Sequence, residues 1–397
     1  MSKLLMLMAS SGGAQALLFA ANFCLIFFYS TEVIASYGFY ITIGSLFSVI
    51  SSLRLDYFAF FSKVDDQARG LVLSVGLVFV GISSVSLILI SLLFNVFGRE
   101  TFFLVLSVFS FSFYYLISQY SLMVKDYAGY GTSRLLLGLL FLFLLVGLAS
   151  KGDVLHLLVS YCTAQTVSGL YLWRRNKIRL TFNILALKYG VFFRFRDRLI
   201  NTLSTCIQFL SPALPIILGG YFFNMEILGA FFWMSQMLGA AAAIVKRSLM
   251  GYLSAELMHN GELQVAIVEM AGKIFLWGAA GSIASCILLS AVFNYISQQF
   301  PSWSPYVNFL PALVLLYCSD ALVQPLGSLL SSIQREKTHL LIEIGRLLLV
   351  LVCFSTAAQL DLDIYWFVWG YSIVMSFFYF LGGAIFCYVS RCGVMIK

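Results

Sequence analysis

Three places in this chain put charged side chains where apolar residues surround them. Arg54 and Asp56 close the run Gly38–Phe61, Lys246 and Arg247 follow the alanines of GAAAAIVKRS, and Asp320 sits in YCSDALVQPLG. An unpaired charge in hydrocarbon costs about 2.5–3.5 kcal/mol on insertion scales, so each must reach the interface, find a partner or do chemistry. A guanidinium offers a planar fork of donors that matches phosphate bidentately. A carboxylate deep in a membrane is most often a proton or cation site. Arg54 and Asp56 are two apart, so they do not share a helix face and cannot simply neutralise each other. Arg54 lies about seven residues, near 10 Å, from the end of its helix, so it can either snorkel to the interface or act within the membrane. Asp320 is too deep to snorkel easily and is followed by Gln324 and Pro325. It is either an ion-coupling site, with Asp56 as a second candidate, or the structural partner of a basic residue.

Uncharged polar residues add two stripes. Ser11, Gln15, Leu18 and Asn22 fall at i, i+4, i+7 and i+11, one face of a helix, and Asn201, Ser204 or Thr205, Gln208 and Ser211 repeat the pattern. These faces either hydrogen-bond between helices or line a wet cavity in which Gln15, Asn22 and Gln208 touch substrate. Pro212 and Pro215 interrupt the second stripe and allow a bend. The eight cysteines all lie inside or at the ends of apolar segments and read as small buried hydrophobes. The three histidines, His156, His259 and His339, have no metal-ligand spacing. No metal and no cofactor is expected.

The elements that position these residues follow from composition. Of 397 residues, 61% are hydrophobic and 10% charged, against about 25% charged in soluble domains. The solvent for most of this chain is lipid. Twelve apolar segments are long enough to span, near 5–29, 36–61, 70–94, 101–124, 132–150, 154–172, 199–223, 226–252, 271–297, 308–331, 340–358 and 364–390. Backbone in hydrocarbon must be satisfied within helices or a closed barrel, and runs without alternation exclude the barrel. The expected fold class is an all-α polytopic membrane protein.

With the N-terminus placed in the cytoplasm, 22 of the 24 Lys and Arg fall on that side, leaving Arg99 and Lys151 opposite. That asymmetry predicts an even number of spans with both termini cytoplasmic. The stretch WRRNKIRLTFNILALKYGVFFRFRDR, 173–198, reads as a basic amphipathic linker that satisfies topology and binds anionic headgroups, with no nucleic-acid role. It separates a six-helix lobe, 1–172, from a second, 199–397. The halves repeat. A shift of 193 carries Ser11, Gln15 and Arg54 onto Ser204, Gln208 and Arg247, and a shift of 212 carries Lys125 and Arg134 onto Lys337 and Arg346. Both halves start on the same side, so the repeat is parallel. Arg54 and Arg247 then lie at matching depth, one per half, which favours function for Arg54 over snorkelling.

At this point the sequence resembles a known family. ISSLRLDYFAFFSKVDDQARGLVLSVGLVFVGISSVSLILISLLF, 50–94, is similar to the second and third spans of Wzx-type oligosaccharide flippases, and 188–256 to the start of their second half. These belong to the multidrug/oligosaccharidyl-lipid/polysaccharide (MOP) exporter superfamily, with MATE and MurJ-type transporters. The resemblance implies two pseudo-symmetric six-helix lobes that open to alternate sides of the bacterial inner membrane. It implies flipping of an undecaprenyl-pyrophosphate-linked oligosaccharide, such as an O-antigen repeat unit for lipopolysaccharide. The family's arginines map onto Arg54 and Arg247, with Lys246 beside the latter. Implied partners are the lipid-linked substrate, membrane lipids, a polysaccharide polymerase and a chain-length regulator, with the flippase itself a monomer. The coupling ion would be H+ or Na+.

Two other readings stay open. A MATE-like cation/drug antiporter shares the architecture but must attract cations, which basic residues in the membrane oppose. A polysaccharide polymerase, a membrane glycosyltransferase, needs large external loops with basic catalytic residues, and the external gaps here are short. No G-x-x-x-x-G-K-[ST] occurs, so a non-enzymatic, gradient-driven transporter is expected.

Overall fold

The computed structural model describes residues 2–52, 66–93, 98–124, 126–148, 153–178, 195–260, 272–278, 308–332, 335–360 and 362–395, with isolated positions between 269 and 287. The described residues are helical and carry no strand. In chain order the helices are α1 (Ser2–Phe28), α2 (Thr31–Ser52), α3 (Asp66–Leu93), α4 (Arg99–Met123), α5 (Tyr127–Leu148), α6 (Val154–Arg175), α7 (Phe195–Phe222), α8 (Met225–Asn260), α9 (Leu310–Leu322), α10 (Gln324–Ser332), α11 (Glu336–Gln359) and α12 (Ile364–Met395). Five among the described helices, α4, α5, α7, α11 and α12, are long and apolar enough to cross a membrane. The chain is a multi-pass, all-helical membrane protein. The expected ninth span, 271–297, lies largely outside the described residues.

Two compact units divide the chain, Met1–Ile217 and Leu218–Lys397. In the first, α1 packs on α5, α5 and α4 on α6, and α2 and α3 on α4. Small residues set the α1–α5 approach: a Cβ on Gly138 would meet Leu17 Cβ at 2.8 Å, and one on Gly13 would meet Leu135 at 3.1 Å. That is the device by which helices associate in lipid, where apolar burial alone gives no net drive. Rings fill the interior between α2, α5 and α6. Tyr161 meets Phe141 edge-on at 4.9 Å and Tyr37 at 6.2 Å. Helix α6 ends with Lys177 in the left-handed region (φ 48°), which lets the Ile178 N–H reach back to the Trp173 carbonyl.

In the second unit α9, α10 and α11 pack on α12, and α8 packs on α9 and α10. The expected span at 308–331 is two helices that meet at Val323. Pro325 supplies no N–H, and its ring disfavours a continuous helix through the preceding turn. By contrast α7 runs unbroken through Pro212 and Pro215. Hydroxyls in these helices satisfy themselves by bonding backward: Ser110 Oγ donates to the Leu106 carbonyl, Ser211 to Ile207 and Ser319 to Leu315. Large side chains face outward, as lipid permits, with Phe143 75% and Trp366 70% exposed.

Candidate functional site

Charged residues collect inside the second unit. The sequence HLLIEIGR places His339, Glu343 and Arg346 at i, i+4 and i+7 on α11, so all three share one face. Arg346 lies ten residues into the helix, about 15 Å from its start. Only 1% of it is exposed, and Glu343 is 4% exposed and His339 7%. Arg346 pairs with Glu343, and its guanidinium stands over the Tyr379 ring of α12 at 5.4 Å. His339 Nε2 is 3.6 Å from Glu343 Oε1, an ion pair only when the imidazole is protonated. Earlier in the chain, Lys246 of α8 donates its Nζ to Asp320 Oδ1 of α9 at 2.7 Å. The Lys246 ammonium is within electrostatic reach of Glu343 as well. Gln324, His339, Glu343, Arg346, Tyr379 and Gly327 line a cavity of about 10 Å³, the space for one water.

Two features of this cluster decide what it can do. Its described charges balance, Lys246 and Arg346 against Asp320 and Glu343, with the His339 imidazole beside them as a further proton acceptor. Asp320 and Lys246 retain 19% and 31% side-chain exposure, whereas the α11 group is sealed. An exposed pair can exchange partners with an incoming ion; a sealed pair can exchange only a proton or a water.

In the first unit Arg134 occupies the place in α5 that the 212-residue shift assigns to Arg346. Its guanidinium also stands over a tyrosine, Tyr130, at 5.3 Å. Tyr114 and Tyr161 adjoin it, the buried Nη1 has no hydrogen-bond partner, and no carboxylate is among its described partners. A second charged group is structural. Asp126, at the start of α5, accepts the Gly129 N–H at 2.9 Å and takes Arg175 bidentately, Nε at 2.8 Å and Nη2 at 3.2 Å. Those bonds hold the Arg175 guanidinium, which lies beyond the apolar part of α6, above its ordinary pKa. Asn176 adds a 2.7 Å bond to Ser121 Oγ, so the ends of α4, α5 and α6 are tied together.

The residues singled out in the sequence divide as follows. Arg54 and Asp56 lie outside the described residues. Arg247 is on α8, with its side chain outside them. Lys246 and Asp320, expected to serve substrate and ion separately, are brought into one ion pair. Gln15 is buried at 6% exposure on α1, while Asn22 and Gln208 are half-buried on α1 and α7. The sequence reading missed His339 and Glu343 and took Arg346 only as a repeat marker and a topological charge. The signal was present as a polar i, i+4, i+7 face in an otherwise apolar helix.

No protein-family model and no curated protein matches this sequence. Solved structures do. The lipid II flippase MurJ in an inward closed conformation covers 98% of this chain and 87% of its own at 9% identity, with a TM-score of 0.69. The MATE multidrug transporter DinF-BH covers 100% and 96% at 16% identity, with a TM-score of 0.62. The eukaryotic MATE transporter AtDTX14 covers 99% and 97% at 14% identity, with a TM-score of 0.55. At these identities the likeness is one of fold: the chain is built like MOP-superfamily transporters.

Proposed function

We propose that this chain is a flippase that moves an undecaprenyl-pyrophosphate-linked oligosaccharide from the cytoplasmic to the periplasmic leaflet by alternating access, driven by an ion gradient. The observation that carries this over cation export is the charge inside the units. Among the described residues of the second unit the interior carboxylates, Asp320 and Glu343, are matched by basic side chains, and Arg134 has no carboxylate among its described partners. A site for a cationic drug needs carboxylate in excess; a site for pyrophosphate needs base in excess.

In this reading Arg54 and Arg247 clamp the pyrophosphate, and Lys246 exchanges Asp320 for a phosphate oxygen. Asp320, released, becomes the group that an ion must neutralise. Gln15, Asn22 and Gln208 supply adaptable hydrogen bonds to sugar. The protein works in the bacterial inner membrane with both termini cytoplasmic, as a monomer beside the polymerase and the chain-length regulator.

Reconstitution tests it. Proteoliposomes carrying a lectin-readable lipid-linked oligosaccharide on the inner leaflet should expose it outside under an imposed pH or sodium gradient. The same vesicles should not export a cationic dye. Gradient-driven dye export without glycolipid exposure would establish the antiporter instead.

A further inference from the structure

Most interior charge in the second unit is accounted for by pairing, but His339 is not needed for balance. It is 7% exposed, its Nε2 lies 3.6 Å from Glu343 Oε1, and both residues line the cavity that has room for one water. A neutral imidazole at that distance does not bond the carboxylate directly. A water in the cavity, set to one side of the pair, can bond both, because the cavity offers polar partners and room for one molecule.

We propose that His339, Glu343 and Arg346 form a proton-binding site inside α11, distinct from the Lys246–Asp320 pair, in which one exchangeable proton is shared between the imidazole and the carboxylate through that water. This rests on the coupled-transport reading only for its consequence, since it names the coupled ion as a proton. The proton enters at His339, one turn from the start of α11, and passes through water to Glu343 Oε1. There it converts the carboxylate to a neutral acid and loosens its ion pair with Arg346. The freed guanidinium keeps its place over the Tyr379 ring. The groups that reach the site from neighbouring helices are Lys246 of α8, Gln324 of α10, and Tyr371 and Tyr379 of α12, with Asp320 and Tyr317 of α9 behind those tyrosines.

The charge count gives the site a use. Unprotonated, the four charges of the cluster sum to zero; with the proton on board they sum to one positive charge. An anionic substrate therefore binds more tightly to the protonated form. By reciprocity the substrate also tightens the proton. Loading of proton and anion is linked without either touching the other.

The test needs no transport. The purified full-length protein in lipid nanodiscs is titrated between about pH 5 and pH 8, the range in which histidine-linked sites change charge, and the infrared stretch of protonated carboxyl groups is followed. The wild type should show a titrating carboxyl band that Glu343→Gln removes. His339→Gln should lower the midpoint by about one pH unit, a tenfold loss of proton affinity, because the second acceptor is gone. Asp320→Asn should leave the band in place. A band that survives Glu343→Gln, or an unmoved midpoint in His339→Gln, overturns the proposal, and the histidine variant decides the matter even if Glu343→Gln does not fold. A protein that titrates in this way yet exposes no lipid-linked oligosaccharide would keep the proton site and remove the substrate reading.

Discussion

The tie at the ends of α4, α5 and α6 makes a quantitative claim about Gly129. A Cβ built there would lie 2.0 Å from Asp126 Oδ2, 2.7 Å from Arg175 Nε and 2.8 Å from Arg175 Cδ. The carboxylate must swing away by about an ångström to restore an ordinary contact, which gives up the 2.9 Å bond to the Gly129 N–H and the bidentate contact with Arg175. Loss of such an N-terminal cap costs about 1 kcal/mol. The ion pair, with Arg175 41% exposed, adds only about 0.2–1 kcal/mol after solvent screening. Alanine in place of glycine returns about 0.5–1 kcal/mol of helix propensity. Gly129→Ala should therefore destabilise by about 1 kcal/mol net and lower Tm by about 2–4 °C for a unit of this size. Cys162, buried at 2% exposure in the same unit, reports unfolding through a thiol-reactive dye. In an Asp126→Ala background the nearest clash is gone and the exposed Arg175 side chain, no longer held by the carboxylate, is free to swing clear, so Gly129→Ala should become neutral or stabilising. Equal destabilisation in both backgrounds would refute the argument, since it would place the cost in the glycine backbone.

Three further outcomes are expected. At pH 8, where the carboxylate is ionised, Arg346→Met and Glu343→Gln should each cost about 3–5 kcal/mol by leaving a buried partner unpaired, and the double variant should recover much of it; additive losses in chemical unfolding would show that the two do not act as a pair. Gly138→Val should separate α1 from α5, where Leu17 already stands 2.8 Å from a built Cβ, and should appear as faster protease cleavage of α1; unchanged cleavage would mean that Leu17 simply rotates away. Arg54→Ala and Arg247→Ala should each abolish glycan display with membrane insertion intact, and lysine should rescue only partly because it lacks the planar fork; normal display in both would return Arg54 to a snorkelling role.

The sequence carried the helices well because apolar runs of about 20 residues admit few alternatives in lipid. Thus α11 and α12 begin within a few residues of the expected positions, whereas the break between α9 and α10 at Pro325 falls inside a segment expected as one span. Pro212 and Pro215 leave α7 without a break, since tertiary packing decides whether a proline ends a helix. Pairings were harder. Lys246 and Asp320 are 74 residues apart, and nothing local says that an ammonium on one helix reaches a carboxylate on another. Glu343 was obscured for a different reason: counting basic residues for orientation assigns Arg346 to a side of the membrane and leaves its neighbours unexamined.

The division of one expected span into α9 and α10 also constrains how the chain is made. α9 has 13 residues and α10 has nine, about 20 Å and 13 Å of helix, and neither alone crosses a hydrocarbon layer of about 30 Å. The insertion machinery must therefore release them into lipid as one segment, with Asp320 close to the joint. By then Lys246 has already left the ribosome as part of α8, so the carboxylate meets a waiting counter-charge. Glu343 needs no such wait, because Arg346 follows it three residues later on the same helix. Asp320 and Glu343 thus each enter the bilayer with a base either there beforehand or arriving in the same turn.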